Sequence, residues 1–166
     1  MTREGYVPEG SPVLTPYVCP RDAARAIDWY IEVFGAVETG ERFVADDGRI
    51  GHADLSIDGA RLMISDAYPD YGAVAPEAGN VVATFALQLF VPDADATVAK
   101  AAARGAVVQR PVEEQFHGAR LGTLVDPFGV RWMISTHVRD VSPEEMKKEM
   151  EKFATEGAPK GPIDAG

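Results

Sequence analysis

"RLMIS" at residues 61–65 and "RWMIS" at residues 131–135 are nearly the same five residues, written twice at an offset of seventy. Sliding the chain by about that distance gives further matches in the same order. Thr15 falls near Thr84, and Gly35-Ala36-Val37 falls on Gly105-Ala106-Val107. Gly59 falls on Gly129, while "RIG" at 49–51 meets "RLG" at 120–122 one residue further along. A common order at a near-constant offset is the signature of internal duplication. It implies two copies of one module, residues 12–66 and 81–137, joined by a Pro/Gly-rich linker at 67–80.

Each copy reads β-α-β-β-β. Short apolar runs bounded by turn residues, "VLTPYVC" and "VVATFALQLFV", predict the opening strands. The next stretch of the first copy predicts a helix with Asp22 as N-cap and Gly35 as stop. Ala23, Ile27, Tyr30 and Phe34 form its apolar stripe. The second copy's helix begins at Asp93 or Asp95 and ends at Gly105. Three strands follow in copy one, at 38–45, 49–57 and 60–66, with turns at Asp46-Asp47-Gly48 and Asp58-Gly59. Copy two is looser in its middle, and Asp126-Pro127-Phe128-Gly129 is its strongest turn signal. A further helix is predicted at 142–155, with Ser142 as N-cap, Pro143 in the first turn and Glu145 at the capping-box position. Val141 and Met146 are placed for a hydrophobic staple. Met146, Met150 and Phe153 form a stripe that needs a partner surface. Residues 156–166 read as a flexible tail.

Composition narrows the functional classes. The chain has 166 residues, a net charge of −10 and 46 % hydrophobic residues. So acidic a surface repels phosphate backbones and anionic lipid, so neither nucleic acid nor membrane is an expected partner. No apolar run nears the roughly 18 residues of a spanning helix, and "MTREGYVPEG" has no signal-peptide pattern. Cys19 is the single cysteine, which rules out an intramolecular disulfide and makes the cytoplasm the expected location.

A tandem βαβββ repeat with "RDAARAIDWYIEVFGA" after the first strand and "DPFGVRW" in the last hairpin resembles the vicinal oxygen chelate superfamily. That group includes glyoxalase I, bleomycin-resistance proteins, fosfomycin-resistance enzymes and extradiol dioxygenases. "GRIGHADLSIDGARLMISD" and "VSPEEM" look most like its PhnB-like branch. The resemblance implies an α+β fold with curved mixed sheets, a concave ligand cup and a homodimer. In the metal-dependent members, ligands come from the first and last strands of each module. Carried over, those positions fall on Thr15, Thr84, Met63 and Met133. Hydroxyls and thioethers suit none of Zn²⁺, Ni²⁺, Mn²⁺ or Fe²⁺, so no metal ligand and no cofactor is assigned. That departure speaks against the metal-requiring activities of the family.

Strand alternation then sorts the residues facing the cup. With Met63 facing inward, so do Arg61 and Ser65. The two-residue turn at Asp58-Gly59 adds Asp54, opposite Met63, and His52, opposite Ser65. Thr15, Tyr17 and Cys19 share the face in copy one; Thr84, Gln88 and Met133 share it in copy two. His117 and Arg120 lie in a stretch where the family has a ligand-covering loop. The leading reading is a metal-free protein of bleomycin-resistance type that binds, and by binding sequesters, a small aromatic or drug-like molecule. One alternative is a metal-independent isomerase or lyase with His52 and Asp54 as acid–base pair. Another is a metal-dependent lyase or dioxygenase whose divalent ion sits on displaced donors, namely His52, Asp54, His117 and Glu114. The last is an interaction protein with a filled, vestigial cup.

Overall fold

The near-repeated pentapeptides are the closing strands of two mixed sheets. The computed structural model describes residues 6–8, 10–80 and 83–156. Strand β5 (Ala60–Ile64) closes the first sheet, in the order β1 (Tyr17–Val18), β5, β4 (Ile50–Ile57), β2 (Val37–Glu38), with β3 (Phe43–Val44) also on β4. Strand β9 (Arg131–His137) closes the second, in the order β6 (Leu87–Phe90), β9, β8 (Ala119–Val125), β7 (Val107–Glu114). In both sheets the opening strand runs parallel to the closing strand, and the hairpin strands are antiparallel. This is the expected α+β architecture of duplicated modules with curved sheets.

Helix α1 (Ala23–Phe34) forms where the apolar residues repeat at helical spacing. Asp22 caps it by accepting from the Arg25 N–H at 3.0 Å. Gly35, in the left-handed region at φ 70°, ends it: the Gly35 N–H donates to Ile31 O, and the Ala36 N–H to Tyr30 O. Its face of Ala23, Ala26, Ile27, Tyr30 and Val33 is buried, as are Ala53, Leu55, Ile57, Leu62 and Ile64 of the sheet. Each valine, leucine or isoleucine among them taken from water contributes about 1.5–3 kcal/mol. Helix α2 (Ala94–Ala103) plays the same part in the second module. Asp93 accepts from the Ala96 N–H at 2.9 Å, and the Thr136 hydroxyl of β9 accepts from the Ala94 N–H at 2.8 Å.

The strands depart from expectation in two respects. The opening strands are far shorter than their apolar runs, only Tyr17–Val18 and Leu87–Phe90 being laddered. Val81 and Val82 lie outside the described residues. The expected strand at 38–45 is split, with Val37 and Glu38 opposite Ser56 and Leu55, and Phe43 opposite His52. Between them the chain curls so that Arg42 grips Glu38 through two bonds, at 2.7 and 2.8 Å, and reaches Asp28 of α1 at 3.4 Å. A flat strand cannot bring residues four apart into a bidentate pair, so the ladder is interrupted there.

The described residues group into two compact units. The first runs up to Asn80 and includes the turn Pro127–Val130 between β8 and β9; the second holds the rest. Arg21 binds that turn by its backbone N–H to Phe128 O at 3.1 Å and by its guanidinium to Pro127 O at 2.8 Å. Helix α3 (Pro143–Glu156) follows β9, and Ser142 accepts from the Glu145 N–H at 3.2 Å. The Glu145 carboxylate pairs with Arg139 at 2.9 Å. Met150 of the expected buried stripe is 58 % exposed, and the side chain of Phe153 lies outside those described. Among the described residues no helix is long and apolar enough to cross a membrane.

Candidate functional site

Residues paired across a sheet share a face. In the first sheet the ladder sets Asp54 opposite Met63, Ser56 opposite Arg61, Tyr17 beside Met63 and Phe43 opposite His52. These side chains therefore stand together on the face turned away from α1. The two-residue turn decides this. Asp58 and Gly59, both at positive φ, form the tight hairpin that fixes the β4–β5 register.

A chain of hydrogen bonds crosses that face. Arg61 donates from Nε to Asp54 Oδ1 at 2.8 Å and from Nη2 to Oδ2 at 3.0 Å. Its Nη1 donates to the Ser11 hydroxyl at 3.0 Å. His52 Nε2 lies 3.2 Å from Asp54 Oδ2, and His52 Nδ1 lies 3.4 Å from the Tyr17 hydroxyl. The Tyr17 and His52 rings are 5.8 Å apart and tilted by 45°. On the adjoining strand β3 the Phe43 ring covers Gly51, whose missing side chain leaves the room; a Cβ there would collide with Phe43 Cδ1. Tyr17 is 48 % exposed and Phe43 65 %. The site is thus a row of polar side chains and two rings, Tyr17 and His52, on an open sheet, with one buttressed ion pair beside them and the Phe43 ring over the neighbouring Gly51.

The Arg61 guanidinium beside Asp54 holds its carboxyl below the usual carboxylate range; burial opposes this, and the His52 hydrogen bond adds to it. A lowered carboxyl pKa gives stability that is present above the unfolded value of about 3.9 and lost as pH falls through the folded one. Asp54→Asn is therefore expected to be less stable than the native chain at pH 7, with the gap closing below about pH 4. Urea midpoints of both proteins at pH 7 and pH 3 check this. A gap that stays constant would show that the ion pair contributes nothing.

The other expected residues fall as follows. Cys19 Sγ lies 3.6 Å from Ser65 Oγ, so these two meet each other beside the row. Thr15 precedes β1 and Thr84 precedes β6. The ladder sets Tyr17 beside Met63 and Gln88 beside Met133. Met133 pairs with Thr123, which makes Thr123 the counterpart of Asp54, and Leu121 that of His52. The bonded chain is not repeated in the second sheet. Among the described residues the buried Ser135 hydroxyl there has no partner; Phe90 stands beside it where Cys19 stands beside Ser65. His117 is exposed in the β7–β8 turn, against Phe116. Arg120 is corrected: it pairs with Asp95 of α2 through two bonds of 2.8 Å, and so lies on the helix side of its sheet. Phe43, Gly51 and Ser11 were not singled out by the sequence. Carrying the pairing across the Asp46-Asp47-Gly48 turn was the one signal that could have found Phe43.

The positions that the resemblance assigns to metal ligands are Thr15 and Met63 in the first unit and Thr84 and Met133 in the second, and the ladder sets Tyr17 and Gln88 beside the two methionines. In the first sheet both oxygens of Asp54, opposite Met63, are engaged by Arg61. Neither unit's donors fit a divalent ion. Among the described residues no three His, Cys, Asp or Glu side chains gather closely enough to hold one.

Known proteins share this fold. Mb0911c of Mycobacterium bovis is 37 % identical over 143 residues, 84 % of this chain and 92 % of that one. The crystal structure of PA1353 from Pseudomonas aeruginosa aligns at a TM-score of 0.62 and 25 % identity, covering 78 % of this chain and all of that one. A PhnB protein from Bacillus cereus shares the fold, with a TM-score of 0.58 at 18 % identity over 75 % of this chain and 99 % of that one. The family model of the Glyoxalase/Bleomycin resistance protein/Dioxygenase superfamily matches residues 14–134, and the chain belongs to that superfamily.

Proposed function

We propose that this chain binds a small planar organic molecule on the open face of its first sheet, as a binding and sequestering protein rather than a catalyst. One observation carries the reading: the half-exposed Tyr17 ring lies 5.8 Å from the His52 ring, with the exposed Phe43 on the adjoining strand, while the charges of Asp54 and Arg61 neutralise each other. Exposed rings beside a few fixed polar atoms suit a flat aromatic ligand, which covers the rings and satisfies the polar atoms. The same reading carries a homodimer working in the cytoplasm.

A second reading is favoured by the His52–Asp54 contact, namely a metal-independent isomerase or lyase with His52 moving a proton. Asp54 is engaged on both oxygens by Arg61, and a carboxylate so compensated supports an imidazolium less strongly. Ligands found by thermal shift decide between the two. His52→Ala is expected to weaken binding by no more than about tenfold, one hydrogen bond's worth. An enzyme would lose turnover by about 10²–10⁴-fold. Conversion of a bound aromatic compound by the native chain, abolished in His52→Ala, would replace the binding reading with the second.

A further inference from the structure

We infer that Arg61 and Asp54 are positioning residues that hold His52 with its proton on Nε2, so that the face presents an acceptor at Nδ1 beside the Tyr17 hydroxyl and selects uncharged aromatic molecules carrying a hydroxyl or N–H donor. The inference rests on the binding reading above and names its ligand class.

The argument starts at the guanidinium. A bidentate fork on a carboxylate is among the strongest side-chain contacts, and it keeps the acid ionised. An ionised carboxylate only accepts hydrogen bonds. At 3.2 Å from Asp54 Oδ2, His52 Nε2 therefore carries the hydrogen. In the neutral imidazole the other nitrogen is then an acceptor, and Nδ1 points to Tyr17. That contact, at 3.4 Å, is beyond the usual N···O range and so is easily replaced by a better donor. A ligand hydroxyl can take Nδ1 while its ring lies against Tyr17.

Charge narrows the class further. Arg61 uses Nε and Nη2 on Asp54 and Nη1 on Ser11, so an anionic ligand finds no disengaged cation in this row. The chain's net charge of −10 also repels anions. A cationic ligand finds Asp54 already compensated. An aromatic ether or hydrocarbon leaves Nδ1 without its donor, which costs about as much as a lost hydrogen bond.

The test uses the full chain and three naphthalenes of similar size: 2-naphthol, 2-methoxynaphthalene and naphthalene-2-carboxylate. Long-range ¹H–¹⁵N spectra, with His52 assigned through His52→Asn, are expected to show the Nε2–H tautomer in the native chain. Arg61→Met should blur that signature and Arg61→Lys should partly restore it, which mere loss of stability would not do. Calorimetry is expected to give 2-naphthol about tenfold tighter binding than 2-methoxynaphthalene, with the ratio falling to about one in His52→Phe. The carboxylate should bind weakest. An Nδ1–H tautomer in the native chain overturns the positioning role. Equal binding of naphthol and ether overturns the ligand class while leaving the binding function standing. Binding of none of the three overturns both.

Discussion

Asp66→Ala is expected to lower the free energy of unfolding by about 3 kcal/mol, the sum of two hydrogen bonds to a charged group at about 1.5 kcal/mol each. Asp66 follows β5 and is half-buried. Its Oδ1 accepts from the Ala23 N–H at 2.9 Å, at the start of α1, and its Oδ2 accepts from the Ile50 N–H at 2.7 Å, at the start of β4. One side chain therefore joins the helix to the strand that carries His52 and Asp54. Alanine removes both acceptors and leaves two backbone donors to find water. Asparagine keeps one acceptor oxygen and turns an amide N–H₂ toward a second donor, so Asp66→Asn should retain one bond and cost about half as much. Urea denaturation with an unchanged m-value checks both. Equal costs for the two variants would mean that the charge, not the pair of bonds, is what the fold uses.

Gly118→Ala is expected to destabilise by about 2–4 kcal/mol, from positive-φ strain of about 1 kcal/mol plus displacement of a backbone segment. Gly118 closes the β7–β8 turn at φ +83°, and its N–H donates to Gln115 O at 2.9 Å. Its carbonyl accepts from the N–H groups of both Val138 and Arg139, at 3.0 and 3.1 Å. The chain after β9 is thereby drawn so close that an added Cβ would occupy the place of the Arg139 carbonyl oxygen. Gly35 provides the control. It has a similar φ of +70° at the end of α1, yet nothing lies within 4 Å of where its Cβ would stand. Gly35→Ala should therefore show the conformational cost alone, about 1 kcal/mol. With about 2–4 °C per kcal/mol for a chain of this size, melting curves should separate the two variants. Indistinguishable melting temperatures would remove the close approach of Arg139 as the reason for a glycine at 118.

The features legible in the sequence are those governed by local rules. Asp22 and Asp93 cap their helices as read, because a cap is satisfied within one turn. The Asp54–Met63 pairing was legible because a two-residue hairpin turn leaves one register. The second hairpin is closed by a longer turn, and so the residue opposite Met133 could not be counted. The ladder makes it Thr123. Arg120 was misplaced for a related reason. A polar residue in a predicted loop looks available for a ligand, but it is a strand residue opposite Thr136, and alternation turns it to Asp95.

By itself, then, the sequence determined that two βαβββ modules form, where their helices start and stop, and which face of β4 and β5 carries His52, Asp54, Arg61 and Met63. Period and turn chemistry act over a few residues and need no partner. Only the tertiary structure decided that Tyr17, not Thr15, stands beside Met63, because β1 and β5 are parallel neighbours with no short turn to count across. Only it decided that Arg61 closes on Asp54, that the His52 imidazole faces Tyr17, and that Phe43 lies over Gly51. Those contacts join side chains from four strands and the segment before β1, and their geometry exists only once the sheet has assembled.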